Sequence, residues 1–212
     1  NPLKLLNKNP TFRYGTFDWT LGTISTPNAI DLIQPNTLYG DVIPITGLFC
    51  LHQRFPLIGD DKTNHFIKTV LSSTIAKTGQ DIEIGFAYYI RAGQIAEPTA
   101  SRFFLSVGAD STGNGSVDLM YDFQENKFST GTFTDDKFFK IITINNYNNW
   151  KRYKTTLSNV NFGTASTAKL EVKLFPLSLN GVVDTSIMHI FVDALYVGQK
   201  TDFSKITHTK TN

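Results

Sequence analysis

The stretch Asp81-Ile82-Glu83-Ile84-Gly85-Phe86-Ala87-Tyr88-Tyr89-Ile90-Arg91 decides the fold class. Ile82, Ile84, Phe86, Tyr88 and Ile90 fall on one side of an extended chain, and Glu83, Gly85, Ala87, Tyr89 and Arg91 on the other. A period of two with one apolar side marks a half-buried strand. Downstream, Phe103, Leu105 and Val107 alternate with Arg102, Phe104 and Ser106. Residues 117–123 alternate again and run into 126–133, which reads as a tight turn returning into another strand. Leu170, Val172 and Leu174 face one way, and Lys169, Glu171 and Lys173 the other. Further strands are predicted over residues 3–7, 12–14, 29–33, 47–53, 66–75, 152–157 and 188–197.

Ten or so strands, separated by Gly, Asn, Asp, Pro and Thr clusters and joined by no convincing helical stretch, predict a sandwich or barrel. Strands that each carry one polar face fit two stacked antiparallel sheets. The 212 residues show no repeat, no low-complexity linker and no shift of composition. One domain over residues 1–198 is therefore expected, followed by a polar extension over 199–212. The chain opens at Asn1 without Met and without a signal-peptide pattern, so it reads as a processed product or part of a longer protein.

Charge and motifs exclude several functions. Twenty basic residues against eighteen acidic ones leave a net charge of +2, and the basic residues are scattered, so no nucleic-acid footprint is present. No apolar run is long enough to cross a bilayer as a helix. Cys50 is the only cysteine and sits in the apolar run Gly47-Leu48-Phe49-Cys50-Leu51, which predicts a buried, inert thiol. Gly-x-Ser-x-Gly, His-Glu-x-x-His and phosphate-cradling loops are missing. His52, His65, His189 and His208 lack the spacing of a metal pair. Most acids fall in turns, among them Asp60, Asp61, Asp110, Asp135, Asp136 and Asp184, where Asp caps backbone groups. Glu83 and Glu171 differ, because they stand on strand faces.

Several segments resemble known domains. Leu5-Leu6-Asn7-Lys8-Asn9-Pro10-Thr11-Phe12 followed by Asp18-Trp19-Thr20, the strand 86–93, and the closing run Ile190-Phe191-Val192-Asp193-Ala194-Leu195-Tyr196-Val197-Gly198 resemble jelly-roll carbohydrate-binding modules. Tyr121-Asp122-Phe123, then Ser129-Thr130-Gly131-Thr132-Phe133, then Asn148-Asn149-Trp150-Lys151-Arg152-Tyr153 are similar to jelly-roll domains of bacteriophage tail fibres and tail-associated proteins. The resemblance implies a jelly-roll β-sandwich. Many such modules hold a structural calcium between an N-terminal acid and the Asp of the last strand. Asp193 matches that Asp, but Arg13 stands where the acid would be, and calcium takes oxygen ligands. No cofactor is expected on this basis, and Arg13 is expected to pair with Asp193 in the ion's place.

Sugars stack their C–H faces on aromatic rings and hydrogen-bond to planar polar side chains, following general pocket logic. Alternation places Tyr89 and Arg91 on the outer side of one strand, Arg102 and Phe104 on the outer side of its expected neighbour, and His189 with Phe191 on the outer side of the last. If these strands share a sheet, Tyr89, Arg91, Arg102, Phe104 and His189 form one aromatic and basic glycan-binding surface. The competing reading covers these rings with a loop or another subunit. Trp19 and Trp150 are expected as buried anchors. The resulting expectation is non-catalytic recognition of a cell-surface or extracellular polysaccharide, in a virion tail or fibre or in a secreted protein. The alternative is a structural virion protein that uses the same surface for contacts with other virion subunits or with copies of itself in a homo-oligomer.

Overall fold

The computed structural model describes residues 3–22, 30–33, 42–46, 48–54, 66–91, 101–144, 148–178 and 189–200. Within them lie thirteen strands: β1 (Leu3–Leu5), β2 (Thr20–Leu21), β3 (Ile30–Ile33), β4 (Cys50–Arg54), β5 (Ile67–Ser72), β6 (Gln80–Arg91), β7 (Ser101–Asp110), β8 (Leu119–Asp122), β9 (Lys127–Ser129), β10 (Lys140–Ile144), β11 (Lys151–Val160), β12 (Lys169–Ser178) and β13 (His189–Lys200). One 3-10 turn, Asp136–Phe138, is the sole helical element among the described residues.

The strands form two antiparallel sheets. Sheet one runs β11-β6-β13-β4-β3, with β1 pairing β13 beyond the end of β4. Sheet two runs β2-β5-β12-β7-β8-β9, with β10 pairing the first half of β7. From β4 to β7, and again from β10 to β13, each successive strand crosses to the other sheet. The result is the jelly-roll β-sandwich that the alternation and the resemblance implied.

Side-chain parity explains the core. Ile82, Ile84, Phe86, Tyr88 and Ile90 of β6 meet Phe103, Leu105 and Val107 of β7 and Leu170, Val172 and Leu174 of β12 between the sheets. Phe86 and Phe103 pack edge to face at 5.0 Å, a favoured aromatic geometry. Trp19 is buried as expected, with its Nε1 donating to the Asn9 carbonyl at 2.7 Å.

The last strand contains a bulge. Its register against β6 shifts between Asp193 and Tyr196, and Ala194 takes a positive φ of 50°. Ile190 and Val192 point inward before the bulge, and Leu195 and Val197 after it. One extra residue moves the inward set from even to odd positions. The edge of β13 facing β4 and β1 is closed here by Leu6 and Asn7. Leu6 N donates to the Val197 carbonyl at 2.8 Å. Asn7 Nδ2 donates to the Leu195 carbonyl at 3.1 Å, and Asn7 Oδ1 accepts from Val197 N at 2.7 Å. Asn9, also buried, organises the following loop by donating to the carbonyls of Gly15 and Phe17 and accepting from Tyr14 N.

Several expectations are corrected. β6 and β7 lie in opposite sheets, because the connection between them crosses the sandwich. Residues 12–14 form turns rather than a strand, with Phe12 buried at a φ of 53°. β10 was not foreseen. β13 continues through Lys200, and Gln199 is buried with its side chain bonded to both backbone groups of Lys77, so the sheet extends past residue 198. The rest of the expected extension, residues 201–212, lies outside the described residues, as do His65, His208, Asp60, Asp61 and Asp184.

Candidate functional site

The site can lie on the outer face of either sheet, and the two faces differ. On sheet one, Tyr89 and Arg91 stand on β6, with Phe191 opposite Tyr89 and His189 opposite Arg91 in the register. Residues 42–46 lie over this region. Val42, Cys50 and Phe191 are buried together, with Tyr89 and Trp150 packed against them. Trp150 Nε1 donates to the Ile43 carbonyl at 2.9 Å, pinning the segment down. His52 is fully buried and stacks on Phe191 at 4.7 Å. Burial, reinforced by the Asp193 charge, pushes the Cys50 thiol up, so it stays protonated and inert.

Asp193 is the polar hub of this covered face. Its carboxylate accepts from Thr46 N at 3.0 Å, from Thr46 Oγ1 and from Ala194 N at 2.6 Å. Burial nevertheless dominates and raises its pKa. Its oxygens are thus turned toward N–H and O–H donors, a surrounding that does not suit calcium. Among the described residues no three acidic, His or Cys side chains group to hold a metal ion. The expected Arg13–Asp193 pair is not formed. Arg13 is exposed, 5.9 Å from the Tyr14 ring centroid, because the Asn9-centred loop carries it outward.

Sheet two presents a groove. Phe104 and Phe175 stand opposite each other on the outer sides of β7 and β12. Phe104 is only 2% exposed, which overturns its expected place on an open platform. Phe138 and Phe139, delivered by the 3-10 turn, cover it together with Met120. Gly108 permits this cover, since a Cβ there would meet Val117 at 2.9 Å and Met120 Sδ at 3.1 Å. Between this cover and β12 remains a cavity of about 280 Å3, lined by Val117, Met120, Phe133, Phe139 and Phe175 and by Ser106, Thr134, Glu171 and Lys173.

The charged lining residues, Glu171 and Lys173, belong to an ion network that reaches Lys68 on β5. Lys68 and Lys173 face each other across the β5–β12 pair. Glu171 joins them, one oxygen to each ammonium, at 3.0 Å in both cases. The Phe66 ring lies below both ammoniums, 4.7 Å from Lys173 Nζ and 5.5 Å from Lys68 Nζ. The groove therefore offers apolar ring surface on one side and charged donors and an acceptor on the other.

The five expected site residues are thus divided. Tyr89, Arg91 and His189 belong to sheet one, and Arg102 and Phe104 to sheet two, so they form no common surface. The side chains of Arg102 and His189 lie outside the described residues. Phe133, Phe139, Phe175 and Lys173, which line the groove, and Lys68 beside it are not among the residues expected at a site. Phe175 carried a signal: it follows Lys169, Glu171 and Lys173 on the polar side of its strand, where a Phe calls for a cover. The turn acids behave as anticipated where described, with Asp110 accepting from the backbone N–H groups of Gly113, Asn114 and Gly115.

No family model matches the chain. No curated protein sequence matches it either. Solved structures do match. A candidate sugar-binding protein from Bacteroides thetaiotaomicron VPI-5482 superposes with a TM-score of 0.55 at 8% identity, over 93% of this chain and 95% of its own. The tandem CBM22 domains of Paenibacillus barcinonensis Xyn10C match with a TM-score of 0.53 at 11% identity, over 94% of this chain and 51% of that chain. The single CBM22-2 xylan-binding domain of the same protein gives 0.50 at 10% identity, over 90% of this chain and 97% of its own. The crossing strands and these superpositions agree that the chain carries a jelly-roll fold, which it shares with these carbohydrate-binding domains.

Proposed function

We propose that this chain is a non-catalytic glycan-binding domain and that the groove over sheet two takes the sugar. The observation that carries this reading is the cavity lined both by the rings of Phe133, Phe139 and Phe175 and by the charged groups of Glu171 and Lys173. Apolar rings facing a few convergent polar groups are the ordinary make-up of a small-molecule site. The volume is close to the lower end of such sites, roughly 300 Å3. Glycoside hydrolysis needs two carboxyls flanking one bond. The described lining of the groove provides Glu171 alone, and both its oxygens are held by lysines. An extracellular location fits polysaccharide recognition, and placement in a phage tail rests on the resemblance of residues 121–133 and 148–153.

Binding to a glycan array, followed by titration calorimetry of the best sugar, tests the reading. Phe133→Ala is expected to weaken binding about 10-fold or more, the loss of one stacking ring. Tyr89→Ala is expected to leave it intact. Loss in Tyr89→Ala alone would move the site to sheet one, and a protein that binds no sugar would overturn the proposal.

One observation favours protein contacts as a second role. Ile43, in the segment over sheet one, and Leu48, just after it, are exposed, at 60% and 45%. A concentration-dependent dimer or trimer in analytical ultracentrifugation, abolished by Ile43→Asp with Leu48→Asp, would establish it. A monomer at all concentrations would dismiss self-association.

A further inference from the structure

We infer that the sugar taken by the groove is acidic, a carboxylate-bearing residue of the uronic acid class seated against Lys173, with Lys68 behind it in the same ion network. The inference rests on the glycan-binding reading above and names the ligand's charge. Its starting point is a placement that does not favour stability. Lys68 and Lys173 are direct cross-strand partners in an antiparallel pair. Like charges in that position repel and destabilise a sheet. Among the described residues their one counter-charge is Glu171, shared one oxygen to each ammonium. Two cations and one anion leave one net positive charge on the network.

That charge is poised rather than dispersed. The side chains of Lys68, Lys173 and Glu171 are only 24%, 25% and 14% exposed, so solvent screens them partially. The Phe66 ring beneath both ammoniums fixes their position through its face. Each ammonium carries three N–H donors. A single bond to Glu171 leaves donors for a second acceptor. The walls beyond Lys173 are Phe175, Phe139 and Met120, where low polarity strengthens a charge-assisted hydrogen bond. No second acid lines the groove among its described residues, so Glu171 alone opposes an incoming carboxylate, and it is already neutralised twice. A neutral sugar would leave the surplus charge unmatched. A hexuronate places its carboxylate on Lys173 while its ring C–H face meets the phenyl groups.

The test compares acidic polysaccharides (polygalacturonate, alginate, hyaluronate) with neutral ones (xylan, galactan, mixed-linkage glucan) in affinity gels and in calorimetry of their oligosaccharides. The expected result is a preference of at least about 10-fold for an acidic ligand, the scale of one charge-assisted hydrogen bond. Affinity should fall as NaCl is raised. Lys173→Met keeps the apolar stem over Phe66 and should lose about 10-fold or more in acidic-ligand affinity, with Lys173→Arg recovering much of it. The salt dependence of the unaltered protein needs no variant, so it decides even where a substitution disturbs folding. Equal or tighter binding of neutral sugars overturns the acidic-ligand inference and leaves glycan binding standing. Acidic binding that ignores both salt and Lys173→Met also overturns it, by placing the ligand elsewhere. Failure to bind any sugar refutes both readings.

Discussion

Replacing Asn7 by Leu tests how the last strand is held. The Asn7 amide makes two buried bonds to β13, to the Leu195 carbonyl at 3.1 Å and from Val197 N at 2.7 Å. Leucine is of similar bulk and sits next to Leu6, so packing changes little and the bonds dominate. Removing one partner of a buried hydrogen bond costs about 1–3 kcal/mol for each group left unpaired. Two groups give a loss of roughly 2–6 kcal/mol. For a chain of 212 residues, a loss of about 3 kcal/mol lowers Tm by about 6–12 °C. Urea unfolding followed by tryptophan fluorescence measures this, provided the slope m is unchanged, so that the midpoint shift reports stability alone. Asn7→Asp separates the two bonds, since it keeps the acceptor for Val197 N and turns an oxygen toward the Leu195 carbonyl. It should be destabilised further as the pH rises and the new carboxyl ionises. A stability of Asn7→Leu within about 0.5 kcal/mol of the parent would refute the claim that this amide closes the edge of β13.

Three further outcomes are expected. Burial raises the Asp193 pKa, so its contribution to stability is full below the unfolded value of about 3.9 and is lost as pH rises through the folded pKa. Urea midpoints of the parent and Asp193→Asn measured across that range should therefore change in the parent's disfavour with rising pH, and parallel curves would contradict the assignment. Tyr196 lies over Gly85 and donates to Glu83 Oε1 at 2.7 Å, and burial together with Glu83 pushes its phenol up to about 12. In Gly85→Ala the new Cβ would stand 2.5 Å from the ring, so the ring must leave, and the phenol should titrate nearer the ordinary value of about 10 in an ultraviolet titration. Asn9→Ala removes three bonds from the loop that carries Tyr14 and Phe17 and should cost about 2–4 kcal/mol in urea unfolding, whereas an unchanged midpoint would mean the loop holds itself.

Local periodicity made the sandwich legible, because each strand declares its inner face by itself. Ile82 to Ile90 and Leu170 to Leu174 read correctly for that reason. The opening Asn7 and Asn9 also carry real information, since the side-chain amide of each makes specific bonds to backbone groups. What alternation cannot convey is which strands become neighbours. Arg102 and Phe104 were joined to Tyr89 and Arg91 because β6 and β7 are consecutive, yet the chain crosses the sandwich between them. Nor does a strand announce what covers its outer side. Phe104 and Phe191 read as exposed rings, but Phe139 closes one and the segment around Val42 the other. The bulge was written in the switch from Ile190 and Val192 to Leu195 and Val197, and went unnoticed because each half alternates cleanly. The groove is not legible in the sequence because Ser106, Phe133 and Lys173 come from distant parts of the chain.

The pairing of β1 with β13 sets Leu3 opposite Lys200. Facing residues in an antiparallel pair have Cα atoms roughly 5 Å apart. A bridge of a few residues would join these two points without bending either strand, and the chain could then be cut elsewhere, for instance between Glu125 and Asn126 in the exposed β8–β9 turn. Such circular permutants are tolerated where the opened backbone is exposed. The same adjacency makes the sandwich suitable for insertion into a loop of a host protein, because both connections leave from one edge. The groove over sheet two belongs to the other sheet, so a host attached in this way would not cross its mouth.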